Sequence, residues 1–357
     1  RSDVWARMWN KISDYDSPGS YYFNEKFMKA LDAHIADPEH NPAILVDTEG
    51  IQHSSYTPAT PGWAYVGNTD WLDEFYRKSA FMQQHNASLS GGTERNNYYA
   101  SIGYKDQSGI FRYGNDSYKR FNLSFNFDTK ITDWLDMSFS TRMSNIKNDE
   151  PYMDNGGSDA VTWYYEVYRM YPTLSVFLPN GDFAGIYLNG GNYNIIGKMA
   201  LAGRNKKETW DQWYTGRFDL HPMKGLSVKG DYSWNRYSTV QKFHRKEMTQ
   251  TFPEGRDPYL VETPNYVRNY NSNNIYQAIN VWAEYKKSFN DVHNLSLMAG
   301  YNQEEKTYAS TSYTMTDLYD NEMPISDLAI NYKENEEGSD IWRVQGAFFR
   351  LNYDYRS

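Results

Sequence analysis

Phe121-Asn122-Leu123-Ser124-Phe125-Asn126-Phe127-Asp128 decides the fold class. Phe121, Leu123, Phe125 and Phe127 fall at every second position, with Asn122, Ser124, Asn126 and Asp128 between them. Side chains of an extended chain alternate between two faces, so this octet is a strand with one apolar and one polar side. The rhythm recurs on both sides of it. Tyr98, Ala100, Ile102 and Tyr104 alternate with Tyr99, Ser101, Gly103 and Lys105, and Leu135, Met137 and Phe139 alternate with Asp136, Ser138 and Ser140. Further on, Leu295, Leu297, Ala299 and Tyr301 form a stripe, as do Phe349, Leu351, Tyr353 and Tyr355.

Extending this reading gives about nine strands, over 82–91, 96–105, 117–128, 134–147, 208–221, 225–242, 271–288, 293–309 and 341–355. Short turns near Gly91–Asn96, Thr129–Asp133, His221–Gly225 and Ser288–His293 alternate with long connections near Asp106–Asp116, Asn148–Lys207, Phe243–Tyr270 and Ser310–Asp340. The expected fold is therefore all-β and antiparallel, trimmed at one end and elaborated at the other. Outer-membrane barrels have this asymmetry, with short periplasmic turns and long extracellular loops. Alternation alone does not say which face meets water, so the pattern by itself equally admits a soluble β-sandwich or a glycan-binding sheet.

Composition agrees with sheet. The 357 residues include 33 Tyr, 17 Phe and 11 Trp, yet the mean hydropathy is −0.83. Large rings scattered among polar residues suit pleated surfaces with one greasy and one wet face. No apolar run reaches the roughly 18 residues of a membrane-spanning helix, an absence that does not bear on strands. With no cysteine, disulfide frameworks and thiolate chemistry are excluded. A net charge of −9 argues against nucleic acid as a partner, which demands a concentrated basic field.

Before residue 71 the period differs. Trp5, Met8, Trp9 and Ile12, then Phe27, Leu31 and Ile35, recur at helical spacing, and Pro38, Pro42, Pro58 and Pro61 mark irregular chain after them. Residues 1–70 read as a loop region with short helices, and 71–357 as strands and loops of a partial barrel. Paired Gly91 and Gly92 suit a turn with positive φ, and Gly103 and Gly300 clear space beside an inward backbone.

An ordered series of short motifs then resembles the SusC/RagA family. It begins with Asn68-Thr-Asp-Trp-Leu-Asp-Glu-Phe-Tyr-Arg77, Gln84-His85-Asn86, Ser90-Gly91-Gly92-Thr93 and Tyr98-Tyr99-Ala100-Ser101-Ile102-Gly103-Tyr104. It continues through Asp106-Gln107-Ser108-Gly109-Ile110, Tyr118-Lys119-Arg120-Phe121-Asn122, Lys224-Gly225-Leu226, His293-Asn294-Leu295, Ala299-Gly300-Tyr301 and Phe349-Arg350-Leu351-Asn352-Tyr353-Asp354-Tyr355. The resemblance implies a transmembrane barrel of roughly 22 strands in the outer membrane of a Gram-negative bacterium. It implies TonB-dependent import of an oligosaccharide or peptide, an N-terminal plug gripped by TonB, and a SusD-like lipoprotein as an external lid. The matching motifs cover only the early barrel, without a plug-like sequence or the later strands. Nine strands cannot close so wide a barrel, and sheet edges left open in lipid cost several kcal/mol per unpaired group, so strands from the rest of the polypeptide are expected beside them.

Enzyme chemistry is not indicated. His-Glu-x-x-His, Gly-x-Ser-x-Gly and phosphate-cradling glycine motifs do not occur. His34, His40 and His53 fit no common zinc spacing, so neither a metal nor a cofactor is expected. Asp154-Asn155-Gly156-Gly157-Ser158-Asp159 could offer oxygens to calcium, but an ordinary turn, or Asp159 as a helix cap, accounts for it better. Asp73 and Glu74 are adjacent carboxylates, which does not place them across a cleft as glycosidase chemistry requires.

Loop aromatics are the better functional clue. Tyr113, Tyr152, Trp163, Tyr164 and Tyr165 fall on the expected extracellular side, where flat rings stack on sugar faces, and Asp154 and Asn155 could bind hydroxyls. The same residue types also anchor barrel girdles and pack loops. The 148–207 connection is the expected substrate-facing or lid-facing element, since its length exceeds what joining two strands requires. A soluble or surface-anchored glycan-binding β-protein is the rival to the importer, and a glycoside hydrolase is more distant.

Overall fold

A computed structural model describes residues 1–19, 21–46, 63–152, 159–186, 194–253, 257–261 and 263–356. The chain opens with helices α1 (Ser2–Asp16) and α2 (Glu25–Ala36), the two-residue strands β1 (Ile44–Leu45) and β2 (Ala64–Tyr65), and the short helix α3 (Trp71–Phe75). Strands β3 (Met82–Gly92), β4 (Asn96–Ser108), β5 (Ser117–Thr132) and β6 (Leu135–Pro151) follow. Helices α4 (Asp159–Arg169) and α5 (Ile195–Leu201) lie in the next connection, before β7 (Gly203–Met223) and β8 (Leu226–Arg245). A small ribbon of β9 (Met248–Gln250) and β10 (Tyr259–Val261) then precedes β11 (Tyr266–Phe289), β12 (His293–Leu318) and β13 (Ala329–Tyr355).

Nine of these strands form one sheet in the order β13-β12-β11-β8-β7-β6-β5-β4-β3, with every neighbouring pair antiparallel. All nine expected strands are present, and β3, β4, β5 and β12 begin where the alternation does. The differences lie at the long-connection end. β12 runs on to Leu318 and β13 begins at Ala329, so most of the expected loop 310–340 is a paired hairpin closed by a ten-residue connection, 319–328.

Register explains why these ends escape a hydropathy reading. Residues paired across an antiparallel ladder point to the same side. Following the pairing from Tyr98 gives Phe127, Phe139, Gly216, Tyr232 and Ile279, and the next row gives Leu89, Ala100, Phe125, Thr141, Tyr214 and Trp234. This face is an apolar belt about 7 to 9 residues tall, roughly 20–25 Å once strand tilt is allowed for. Leu89, Ile102 and Phe349 within it are 64%, 52% and 69% exposed, where the core of a water-soluble sheet would bury them. Beyond the belt both faces are polar, so alternation vanishes while the ladder continues.

The turn glycines differ from expectation. Gly91 and Gly92 end β3 without positive φ, and the Tyr98 ring lies over Gly91. Left-handed residues stand instead at two other hairpin turns, Gly225 with φ +85° between β7 and β8, and Asn290 and Asp291 with φ 52° and 54° between β11 and β12. At Gly103 and Gly300 the cleared space is occupied by side chains, Asn86 at the first and Trp282 and Phe348 at the second.

The long connections fold together at one end of the sheet. α3, α4, α5 and the stretch around Phe252 enclose a core in which Phe75, Ile186, Ile195 and Ile196 are fully buried. α1 and α2 form a second cluster around Phe27 and Leu31, with Asn24 capping α2 by accepting from the Phe27 amide at 3.0 Å. Trp5 and Trp9 turn toward this cluster, whereas Met8 and Ile12 of the same stripe are exposed. Ile44, Trp63 and Tyr65 pack in one core with Trp71 and Trp163, so side-chain packing runs across residue 70.

Candidate functional site

The polar face of the sheet is a continuous hydrogen-bonded wall. One transverse row crosses all nine strands as Ser88, Ser101, Ser124, Arg142, Trp213, Asn235, Tyr276, Lys306 and Trp342. Within it the Arg142 guanidinium lies 5.0 Å from the Trp213 ring centroid, a cation–π arrangement, and Trp213 and Tyr276 have centroids 5.9 Å apart. Asn235 is buried beneath them and donates to Asp211 Oδ1 at 2.7 Å and to the Gln212 carbonyl at 3.1 Å. The Tyr276 hydroxyl donates to Glu304 Oε2 at 3.0 Å. A neighbouring ladder carries amides end to end: Asn302 donates to Asn280 at 2.7 Å, and Asn280 donates to Asp231 at 2.8 Å. The wall thus presents a cation, two flat rings and fixed carboxylates on one face.

The loop aromatics separate into two groups. Trp163 is 2% exposed, packed against Phe75 and Phe111, and Tyr152 is 1% exposed with its hydroxyl 2.6 Å from that of Tyr266. Tyr113 is half-buried between Phe177 and Phe183. By contrast Tyr164 and Tyr165 stand in solvent on α4, and Tyr168 joins them, stacked on Tyr164 with centroids 5.9 Å apart. Arg169 lies 5.1 Å from the Tyr165 ring centroid. Tyr168 also lines a cleft of about 440 Å³ with Asn68, Thr69, Asp70 and Pro172. Asp154 and Asn155 lie outside the described residues.

Charges in this cap are mostly spoken for. Arg112 pairs with Glu74 at 2.9 Å and with Asp73 at 3.5 Å, so these two carboxylates hold a loop together instead of facing each other across a cleft. Burial works against the charged form of Arg112, but Glu74 and Asp73 outweigh it and hold its pKa above the ordinary value. Burial, reinforced by the Glu74 charge, pushes the Tyr113 hydroxyl up. Burial does the same to Tyr65, whose hydroxyl donates to the Gly185 carbonyl at 2.7 Å. His34 faces the Asn41 carbonyl and His40 faces Asp37, and His53 lies outside the described residues. Among the described residues no three His, Asp or Glu converge as metal ligands.

Similar proteins include TonB-dependent receptors and a chain of a peptide importer. Over 304 residues, 81% of its length, the chain is 25% identical to TonB-dependent receptor P3 of Formosa agariphila, covering 28% of that protein. Over 102 residues, 28% of this chain and 9% of the relative, it is 34% identical to TonB-dependent receptor SusC of Bacteroides thetaiotaomicron. The fold superposes on a chain of the RagAB peptide importer in its closed-closed state with a TM-score of 0.65 at 21% identity, covering 82% of this chain and 32% of that one. The chain resembles a section of a SusC/RagA-type barrel. No protein-family model matches it, and it spans under a third of the length of the relatives it matches.

Arg142, Trp213, Asn235 and Tyr276 converge on the polar face, from strands up to 134 residues apart in sequence, the difference between 276 and 142. No local motif marks them, because their meeting depends on the registers of four strands at once. Tyr168 was within reach of sequence: it stands four residues from Tyr164, on one side of any helix read there.

Proposed function

We propose that this chain forms part of the wall of a TonB-dependent importer that carries an oligosaccharide or a peptide across the outer membrane of a Gram-negative bacterium. The observation that carries the reading is the pairing of an exposed apolar belt on one face with the Arg142, Trp213 and Tyr276 row on the other. A sheet so divided separates lipid from a polar passage. The relatives' receptor and importer names support the same reading. The cargo crosses without covalent change, in keeping with Asp73 and Glu74 being committed to Arg112.

The remaining strands of the same polypeptide flank β3 and β13, and a plug elsewhere in it transmits the pull of the TonB complex. A SusD-like lipoprotein covers the cap, with the exposed tyrosines of α4 on the surface it or the cargo meets. The decisive experiment fractionates cells for the full-length protein and measures uptake of labelled oligosaccharides and peptides with and without the proton-motive force. Detergent-dependent extraction from outer membranes with energy-dependent uptake is expected. A full-length protein that stays monodisperse in buffer without detergent, away from membranes, would overturn the reading in favour of a surface-anchored glycan-binding β-protein.

A further inference from the structure

Just beyond the apolar belt, the lipid-side face turns basic in one place. Lys119 and Lys147 are paired across β5 and β6, and in the adjoining row Lys206 and Lys242 are paired across β7 and β8. Lys119 precedes Phe121 by two positions and Lys147 follows Met143 by four, which keeps both on the belt's own side. Like charges placed directly opposite each other destabilise a sheet, yet here two such pairs sit together in a chain whose net charge is −9. All four lysines line one cleft of about 390 Å³, with Val240 contributing apolar surface.

The acidic residues present do not neutralise the patch. Glu208 reaches Lys147 at 3.5 Å, and Asp149 reaches Lys206 at 3.5 Å while also pairing with Arg204 at 2.7 Å. Lys119 and Lys242 form no ion pair among the described residues. A cluster of cations at the level where the hydrocarbon belt ends is placed to meet lipid head groups.

We propose that Lys119, Lys147, Lys206 and Lys242 form an outward-facing site for the phosphate groups of a phosphorylated glycolipid of the outer leaflet. The lipid's sugar–phosphate head lies in the cleft, its acyl chains run down the belt below Phe121 and Met143, and its charge relieves the two lysine pairs. The site rests on the barrel reading above.

The test counts lipid bound to the full-length protein by native mass spectrometry, using bis-phosphorylated lipid A, its dephosphorylated counterpart, and inorganic phosphate as competitor. Wild type is expected to retain the phosphorylated lipid at least about tenfold more tightly than the K119Q/K147Q/K206Q/K242Q variant. The four-arginine variant keeps the binding, and the dephosphorylated lipid does not distinguish the proteins. Should the fourfold glutamine variant misfold, K119Q/K242Q, which leaves the existing ion pairs in place, takes its part. Equal retention by wild type and variant, equal binding of the dephosphorylated lipid, or displacement by millimolar inorganic phosphate would each overturn the proposal. A membrane-embedded protein giving those results defeats this site alone, whereas a full-length protein absent from membranes defeats the barrel reading.

Discussion

Trp213 and Tyr276 sit on β7 and β11 with β8 between them, yet their ring centroids are 5.9 Å apart because Asn235, paired with both, is short and lies under them. The two rings therefore meet over an amide that is itself held by Asp211. Flat surfaces fixed in this way bind a ligand with little ordering cost.

Replacing Trp213 with Ala in the full-length protein should weaken cargo binding about fivefold to tenfold, the equivalent of roughly 1–1.5 kcal/mol of ring contact. Titration calorimetry with the transported molecule measures this. Unchanged affinity would mean that the row faces something other than cargo.

Tyr152 and Tyr266 join the β6–β7 connection to the foot of β11 through their hydroxyls, 2.6 Å apart with ring planes at 89°. Tyr152→Phe and Tyr266→Phe should each lower stability by about 1 kcal/mol, and the double variant should cost less than the sum. Thermal melts of the four proteins in one detergent form the cycle, and strict additivity would deny the bond.

Gly300 and Gly216 make opposite predictions. The Phe348 ring and Trp282 Cβ occupy the space a side chain at 300 would take, whereas nothing lies within 4 Å at 216. Gly300→Ala should cost about 1–3 kcal/mol by overpacking, and Gly216→Ala should be neutral or stabilise by up to about 1 kcal/mol through the unfolded chain. Urea midpoints in detergent separate the two.

Asp116, between β4 and β5, has a carboxylate oxygen buried without a partner, and burial holds its pKa above the ordinary 3.8. The folded chain therefore binds this proton more tightly than the unfolded one, so the associated stability is full below pH 3.8 and is lost as pH rises through the folded value. Hydrogen exchange, corrected for intrinsic rate, should show protection of residues 109–116 falling from just under pH 4 upward. Asp116→Asn should flatten that profile.

Nine strands and their order in the chain were legible from alternation, and the short-turn ends fell within a few residues of their places. At the other end β13 starts 12 residues earlier than expected, at 329 and not 341. Ala329–Asp340 has no dry side to betray it. The Arg142, Trp213 and Tyr276 row was illegible for a different reason. A slip of one residue in β8 would put Tyr232 or Tyr237 in a different relation to Trp213, and no local pattern fixes that register. For the cap, composition selected the aromatic residues but not their fates. Trp163 and Tyr164 are neighbours, one buried and one exposed, and only the position of α4 against Phe75 and Phe111 decides between them.

Strands that outlast the belt give the barrel a parapet. On the orientation proposed here, β12 and β13 rise past the head groups as a paired ribbon, and the part of that hairpin outside the ladder shrinks to 319–328. Proteases, phages and antibodies arriving from outside would then meet masonry before they meet string, and shaving intact cells should nick this hairpin at its crest while sparing its flanks.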